Sequence, residues 1–361
     1  MPTALAPQDA DTKPTVLIVD DEAAPRAALT HILRKDFNIL TADDARSALA
    51  VLNDHGVDLV TLDLKLPDRS GSDLLREIKQ THREIEVIMV TAYGTLQSAM
   101  DCIRQGAAGF LLKPFNASEM LTISLQTSHK KQRLDLLRSA FTQEPGLWGP
   151  ESSSKAAWQS LIARYANLTK NTTAASAGND PPSPLIQLVS DLLEAKDRHL
   201  VNHGNRVSFY ATLVANKLEW PLAEQHMVSL GALAHDLDLI QTPDVGALAA
   251  DQERQRHHPE IGARLGRAIG LPSDAVQVMA LHHERWDGTG YPFGLAGERI
   301  PAPARLVAIA QAFDELTAEQ PGQPTMPMQA ALEQIEAQAG QAFDPSLVEV
   351  FCKTLREQPP Q

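Results

Sequence analysis

The chain has 361 residues, enough for two domains of ordinary size, and its apolar share of 43% supports a buried core through most of that length. A formal net charge of −13, without a dense Lys/Arg run, argues against nucleic-acid binding, and no apolar run approaches the length of a membrane span. Cys102 and Cys352 lie far apart in unrelated apolar patterns and read as reduced core thiols of a cytoplasmic protein.

Residues 1–14 carry no signal-peptide pattern and read as a short disordered arm. Four short apolar runs follow, at 16–19, 59–62, 87–90 and 109–112, with a weaker one at 38–41. Helix-patterned stretches at 24–34, 45–53, 71–79 and 96–104 separate them. Strands alternating with helices predict a doubly wound, five-stranded parallel sheet covered on both faces. A long helix over 118–138 leaves this α/β domain and is broken by Pro145, Gly146, Gly149 and Pro150. A second helical piece, 154–168, leads into 171–184, a stretch rich in Thr, Ala, Ser, Asn and Pro that reads as a flexible linker. From Leu185 onward the pattern is helical, with no clear strand and no internal repeat. The expected division is an α/β domain over 13–130, a helical connector and linker over 131–184, and an all-α domain over 185–358.

In an open parallel sheet, ligands bind at the carboxyl ends of the strands. The first run ends in Asp20-Asp21-Glu22, the next strong one in Asp63, the next in Thr91-Ala92 and the last in Lys113-Pro114-Phe115. Three carboxylates, a hydroxyl and a lysine are thus expected on one sheet edge. Clustered carboxylates suit a hard cation such as Mg²⁺, beside which Asp63 can act as a nucleophile toward a phosphoryl group, with Lys113 and Thr91 holding the phosphate oxygens. This stretch, over about 13–130, resembles the receiver domain of two-component response regulators. The resemblance makes Asp20 and Asp21 the acidic metal pair, Asp63 the phosphoacceptor, Thr91 the switch hydroxyl and Lys113 the lysine before a proline. It adds the Lys65 carbonyl as a metal ligand, Phe110 as the rotating aromatic, and a sensor histidine kinase as partner.

Most of the twelve histidines lie after residue 198. His199 and His203 share a helix face; His235-Asp236 sits in an apolar helical run at 227–239; His257-His258-Pro259 opens another helix; and His282-His283 precedes a glycine-rich loop. Imidazoles and carboxylates suit first-row transition metals, and an Asp between two histidine sets can bridge a metal pair able to clamp a phosphodiester. The run from His282 to Pro292, His-His-Glu-Arg-Trp-Asp-Gly-Thr-Gly-Tyr-Pro, resembles the HD-GYP domain, as do Gly294-Leu295, Ile300-Pro301, Ala304-Arg305 and Phe343-Asp344-Pro345. Fully equipped members hydrolyse the second messenger cyclic di-GMP. The resemblance places His203, His235, Asp236, His258, His282 and His283 on metal-ligand positions for one or two ions such as Fe, Mn, Ni or Zn. His257 becomes a non-ligand neighbour, and His199 falls where a subset of the family has a glutamate for a third metal. It also makes the loop Asp287, Gly288, Gly290, Tyr291, Pro292 a docking element for diguanylate cyclase domains, with Trp286 and Tyr291 as aromatic anchors.

This chain departs from the family around the chemistry. Leu239 replaces a lysine, Gln311 a ligand aspartate, and Gln320-Pro321-Gly322-Gln323 an Arg-Pro-Tyr-Lys run; the loop between Asp244 and His258 is short and lacks its Lys-Pro-Gly turn. Lost cations weaken contacts worth about 1.5–3 kcal/mol each. The expectation is therefore a response regulator in cyclic di-GMP signalling whose output domain keeps metal but hydrolyses weakly or not at all and works by protein contact. The alternative is an active, phosphorylation-regulated phosphodiesterase. Whether the chain forms a homodimer stays open.

Overall fold

The computed structural model describes residues 13–92, 95–148, 151–170, 183–242, 252–318 and 325–357. The chain divides into an N-terminal α/β unit and a C-terminal helical unit, the latter taking in residues 134–167 and 179–361.

In the first unit, β1 (Thr15–Val19), β2 (Asn38–Ala42), β3 (Leu59–Leu62), β4 (Glu86–Thr91) and β5 (Gly109–Leu112) form one parallel sheet of order β2-β1-β3-β4-β5. Every expected strand is present. Side chains alternate between faces at each residue. Leu17, Val19, Val60, Leu62, Val87 and Met89 therefore point into one core, and Val16, Ile18, Leu59, Ile88, Val90 and Leu111 into the other. Both faces are apolar, so both need a cover of helices. The cover comes from α1 (Ala23–Leu33), α2 (Ala45–Asp54), α3 (Gly71–Thr81), α4 (Leu96–Arg104) and the start of α5 (Ala117–Gln143).

The remaining helices are α6 (Glu151–Lys170), α7 (Pro184–Lys196), α8 (Arg198–Lys217), α9 (Leu222–Ala234), α10 (Gln252–Ala268), α11 (Ser273–Leu281), α12 (Ala302–Thr317), α13 (Met328–Ala337) and α14 (Pro345–Arg356). Among the described residues no strand follows β5, as the all-α reading requires. The helical part of the segment read as a connector packs on the helical unit. Leu134, Leu137 and Ala140 of α5 and Trp158, Leu161 and Tyr165 of α6 enter the same core as Leu188, Leu192 and Leu193 of α7. Two buried polar bonds fix α6 there: Trp158 Nε1 donates to Leu147 O (3.1 Å) and Tyr165 OH to Asp191 Oδ2 (2.6 Å). The linker expected at 171–184 lies outside the described residues apart from Ser183, which caps α7, and Pro184, its first residue. No helix among the described residues is long and apolar enough to cross a membrane.

Two helix boundaries differ from the sequence reading. The apolar run at 227–239 is not one helix: α9 stops at Ala234, His235 is its C-cap, and a 3₁₀ turn, Leu237–Gln241, follows. Apolar periodicity marks the buried face but not the point where the chain tightens. The pair His257-His258 lies within α10 rather than at its start, because residues 252–256 extend the helix and Pro259 is accepted inside it. That proline forfeits one helical hydrogen bond.

Candidate phosphoacceptor site and candidate metal centre

At the carboxyl edge of the sheet, Asp20 and Asp63 are buried and Asp21 is exposed, and one oxygen of each lies within 4.8 Å of the others. Lys113 Nζ reaches both inner carboxylates, 2.5 Å from Asp20 Oδ2 and 2.6 Å from Asp63 Oδ2. Burial alone would lower its pKa; the hydrogen bonds and charges of Asp20 and Asp63 outweigh that and raise it. Thr91 is fully buried at the end of β4, and Phe110 is half-buried in β5. Asp63 is held by a close approach of α3. A Cβ on Gly71 would lie 1.9 Å from the Asp63 carbonyl oxygen, so only glycine fits there.

In the helical unit, His203 comes from α8, His235 and Asp236 from the end of α9, His258 from α10, and His282 and His283 from the end of α11. All six meet in one cluster. Two ligand groups form, His203-His235-Asp236 and His258-His282-His283, and a third joins Asp236, Asp238 and His258. Asp236 links them: its Oδ2 lies 3.4 Å from His235 Nε2 and 3.8 Å from His203 Nε2, while its Oδ1 lies 3.9 Å from His258 Nδ1 and 4.0 Å from His282 Nε2.

The imidazole tautomers follow from their outer partners. His235 Nδ1 lies 2.6 Å from Ala232 O, His282 Nδ1 2.7 Å from Met279 O, and His203 Nδ1 2.7 Å from Asp314 Oδ2. Each partner only accepts, so each Nδ1 carries a hydrogen and each Nε2 is the atom directed into the cluster. Two of those, His203 Nε2 and His235 Nε2, stand 3.2 Å apart, which two lone pairs tolerate only with a proton or a cation between them. The third, His282 Nε2, is buried without any hydrogen-bond partner. These residues fit a transition-metal centre. Without a cation, protons distribute unevenly over the cluster. Burial pushes the pKa of His283 down to about 3, with neighbouring His258 adding to it, and depresses that of His282 well below the ordinary imidazole range. At His235 burial also pulls down, but the Asp236 carboxylate overrides it and lifts the pKa to about 9. Burial would raise that of Asp236; His235, His203 and His258 together hold it well below the usual carboxylate range.

Asp314 is committed to support, binding His203 and forming a bidentate pair with Arg206 at 2.6 and 2.9 Å. Gln311 is buried and donates to Glu315 Oε1 (2.8 Å). Leu239 packs against the apolar core. His199 and His257 are exposed and lie outside these clusters. Gln320, Gln323 and the loop from Asp244 fall largely or wholly outside the described residues. The sequence left the direction of Asp238 open; the 3₁₀ turn after Asp236 points it inward, where it is 2% exposed.

The glycine-rich loop closes over the centre. Tyr291 stacks on His283 (centroids 4.8 Å apart, planes at 19°), and burial, with Asp236 and Glu315 nearby, pushes its hydroxyl up to about 12. Buried Glu284 accepts from Phe293 N (2.7 Å) and Leu295 N (2.8 Å). A Cβ on Gly290 would fall 2.3 Å from Arg285 N. Trp286 donates its backbone N–H to Ala342 O and lies under Arg305, which pairs with Asp344. Trp286 and Tyr291 are thus occupied by packing, and the exposed aromatic of the loop is Phe293. Arg285 is held by Thr289 and Asp287.

Two family models match: a response regulator receiver domain over residues 16–124 and an HD domain over 187–347. A cyclic di-GMP phosphodiesterase of Thermotoga maritima is 27% identical, with 95% of this chain and 91% of that protein covered. The cyclic di-GMP phosphodiesterase response regulator RpfG of Xanthomonas campestris pv. campestris is 29% identical, with 96% and 89% covered. Among solved structures, the receiver domain of NtrX from Brucella abortus is 38% identical, covering 31% of this chain and 97% of that one, with a TM-score of 0.30.

Proposed function

The chain belongs to the response regulators that join a receiver domain to an HD domain, and from that premise we propose that phosphorylation of Asp63 controls a metal-binding HD-GYP output domain in cyclic di-GMP signalling, one that hydrolyses cyclic di-GMP weakly or not at all and acts by protein contact. A sensor histidine kinase is the phosphodonor. An Asp63 carboxylate oxygen bonds to phosphorus as the P–N bond of the kinase phosphohistidine breaks and the imidazole departs. Asp20, Asp21 and the Lys65 carbonyl, with Asp63, hold Mg²⁺; Lys113 and Thr91 take the phosphoryl oxygens.

The observation that carries the output reading is the orientation of Asp236. Its two oxygens face two histidine sets, with the Nε2 atoms of His203, His235 and His282 already turned into the cluster by their Nδ1 bonds. When bound, a pair of ions such as Fe, Mn, Ni or Zn supplies charge to offset a phosphodiester and to activate water. Apart from Arg256, whose charge reaches Tyr291, the described residues give little further help to a ligand with two phosphodiester anions. Leu239 is packed against the core, Gln311 is bound to Glu315, Arg206 is engaged by Asp314, and Arg285 is held within its own loop. Uncompensated anions in a cleft are costly, so ground-state binding and transition-state stabilisation both suffer. The loop Asp287, Gly288, Gly290, Tyr291, Pro292 is braced for protein contact, with diguanylate cyclase domains as the partner. The active phosphodiesterase remains the second reading, favoured by the fully assembled histidine and Asp236 set.

Conversion of cyclic di-GMP to linear product, with Mn²⁺ or Fe²⁺ supplied and the full chain unphosphorylated or phosphorylated, decides between them. The expected result is turnover at or near background in both states. Efficient turnover in either state establishes the phosphodiesterase instead.

A further inference from the structure

Four histidines of the centre are each braced from outside by an acceptor at Nδ1. His203 leans on Asp314, His235 on the Ala232 carbonyl and His282 on the Met279 carbonyl. For His258 the corresponding acceptor is Asp238, whose Oδ1 lies 3.2 Å from His258 Nδ1. Asp238 follows Asp236 by two residues, and in a continuing α-helix the two would diverge by roughly 200°. The chain instead tightens into the 3₁₀ turn Leu237–Gln241, which brings both carboxylates to the same imidazole. The Asp238 side chain is 3% exposed, and among the described residues His258 is its one side-chain hydrogen-bond partner. No Lys or Arg is paired with it there. A buried carboxylate facing only an imidazole is poorly compensated unless a cation stands beyond the ring.

We propose that Asp238 is the positioning carboxylate of the His258-His282-His283 half of the centre: it accepts the His258 Nδ1–H, aims Nε2 at the cation, and places a carboxylate behind that ligand. This rests on the metal-binding reading above. It also identifies what offsets the neutral amide at Gln311. One half of the centre has three imidazoles and only a shared oxygen of Asp236, and Asp238 adds a second anion there. A carboxylate behind a ligating histidine changes metal affinity by about 10–100-fold.

The test uses the full chain and Mn²⁺ or Zn²⁺ alone, with stoichiometry and affinity read by elemental analysis and chelator competition, and thermal midpoints with and without metal. Asp238→Asn keeps shape and loses charge; Asp238→Gly removes the acceptor altogether. Both variants are expected to bind the weaker ion about tenfold or more less tightly than the native chain. In Asp238→Asn the metal-free midpoint is expected to hold or rise, because a poorly compensated buried carboxylate is gone, while the gain on adding metal shrinks. A merely structural role predicts the reverse: a lower metal-free midpoint and an unchanged metal-dependent gain. Variants that bind as the native chain does overturn the inference and leave the metal centre standing. A native chain that takes up no metal overturns both.

Discussion

The two sites of this chain handle charge in opposite ways. At the sheet edge, the anions Asp20 and Asp63 are met by Lys113 from the same unit, which offsets part of their charge before any ligand arrives. In the helical cluster, ring nitrogens face each other or, at His282, face no partner, and nearby Arg206 is held by Asp314. The first balances much of its charge within the chain; the second leaves ring nitrogens in an arrangement that suits a cation. A pocket with its own lysine tolerates an empty state, whereas opposed imidazole nitrogens select for a proton or a cation between them.

The contrast breaks most completely at Asp63. Incubation with acetyl phosphate and Mg²⁺ is expected to label the native chain, and Asp63→Asn to abolish labelling; label persisting on another residue removes the assignment. Next in size is metal content. The double variant His235→Ala, Asp236→Ala removes the bridging carboxylate and one lone pair, so elemental analysis after chelator-free purification should show metal near background. A native chain already free of metal under those conditions would end the idea of a resident cation.

A smaller effect sharpens the account of weak hydrolysis. Leu239→Lys together with Gln311→Asp restores one cation and one anionic ligand. Turnover of cyclic di-GMP is expected to rise about 10–100-fold, the equivalent of one charge-assisted contact. No rise would locate the deficit elsewhere, and Leu239 supplies a reason for a partial one, since its side chain packs against the core. Gly290→Ala should lower stability by about 1–3 kcal/mol, because the new Cβ meets backbone that cannot withdraw; chemical denaturation measures it. An unchanged midpoint would show that the loop is looser than its bonds to Glu284 imply. The smallest change expected is at exposed Phe293. Phe293→Ser should leave stability and metal content alone and weaken binding to a diguanylate cyclase domain, read by titration of purified partners.

Much of the receiver was legible in the sequence. Four strong apolar runs and one weak run became five strands, and the residues after them converged on one edge, because period-2 burial on both faces leaves a parallel sheet as the solution. The histidine cluster was legible as a set of residue types, less so as geometry. Its members come from four helices, and no local spacing says that Asp236 splits its oxygens between two histidine sets. The inward turn of Tyr291 onto His283 was also hidden: an aromatic in a glycine-rich loop looks the same whether it packs or protrudes, and only the stacking partner decides.

The sequence by itself determined the order of elements, the α/β and all-α character of the two parts, and which side chains have the chemistry for phosphoryl transfer or metal. Those properties are written in local periodicity and residue type. Tertiary structure decided the end of α9, the assignment of 134–167 to the helical core, the tautomers of His203, His235 and His282, and the burial of Asp238. Each of these depends on which distant carbonyl, carboxylate or apolar surface a side chain meets. Such meetings are fixed by the packing of whole helices, which no window along the chain contains.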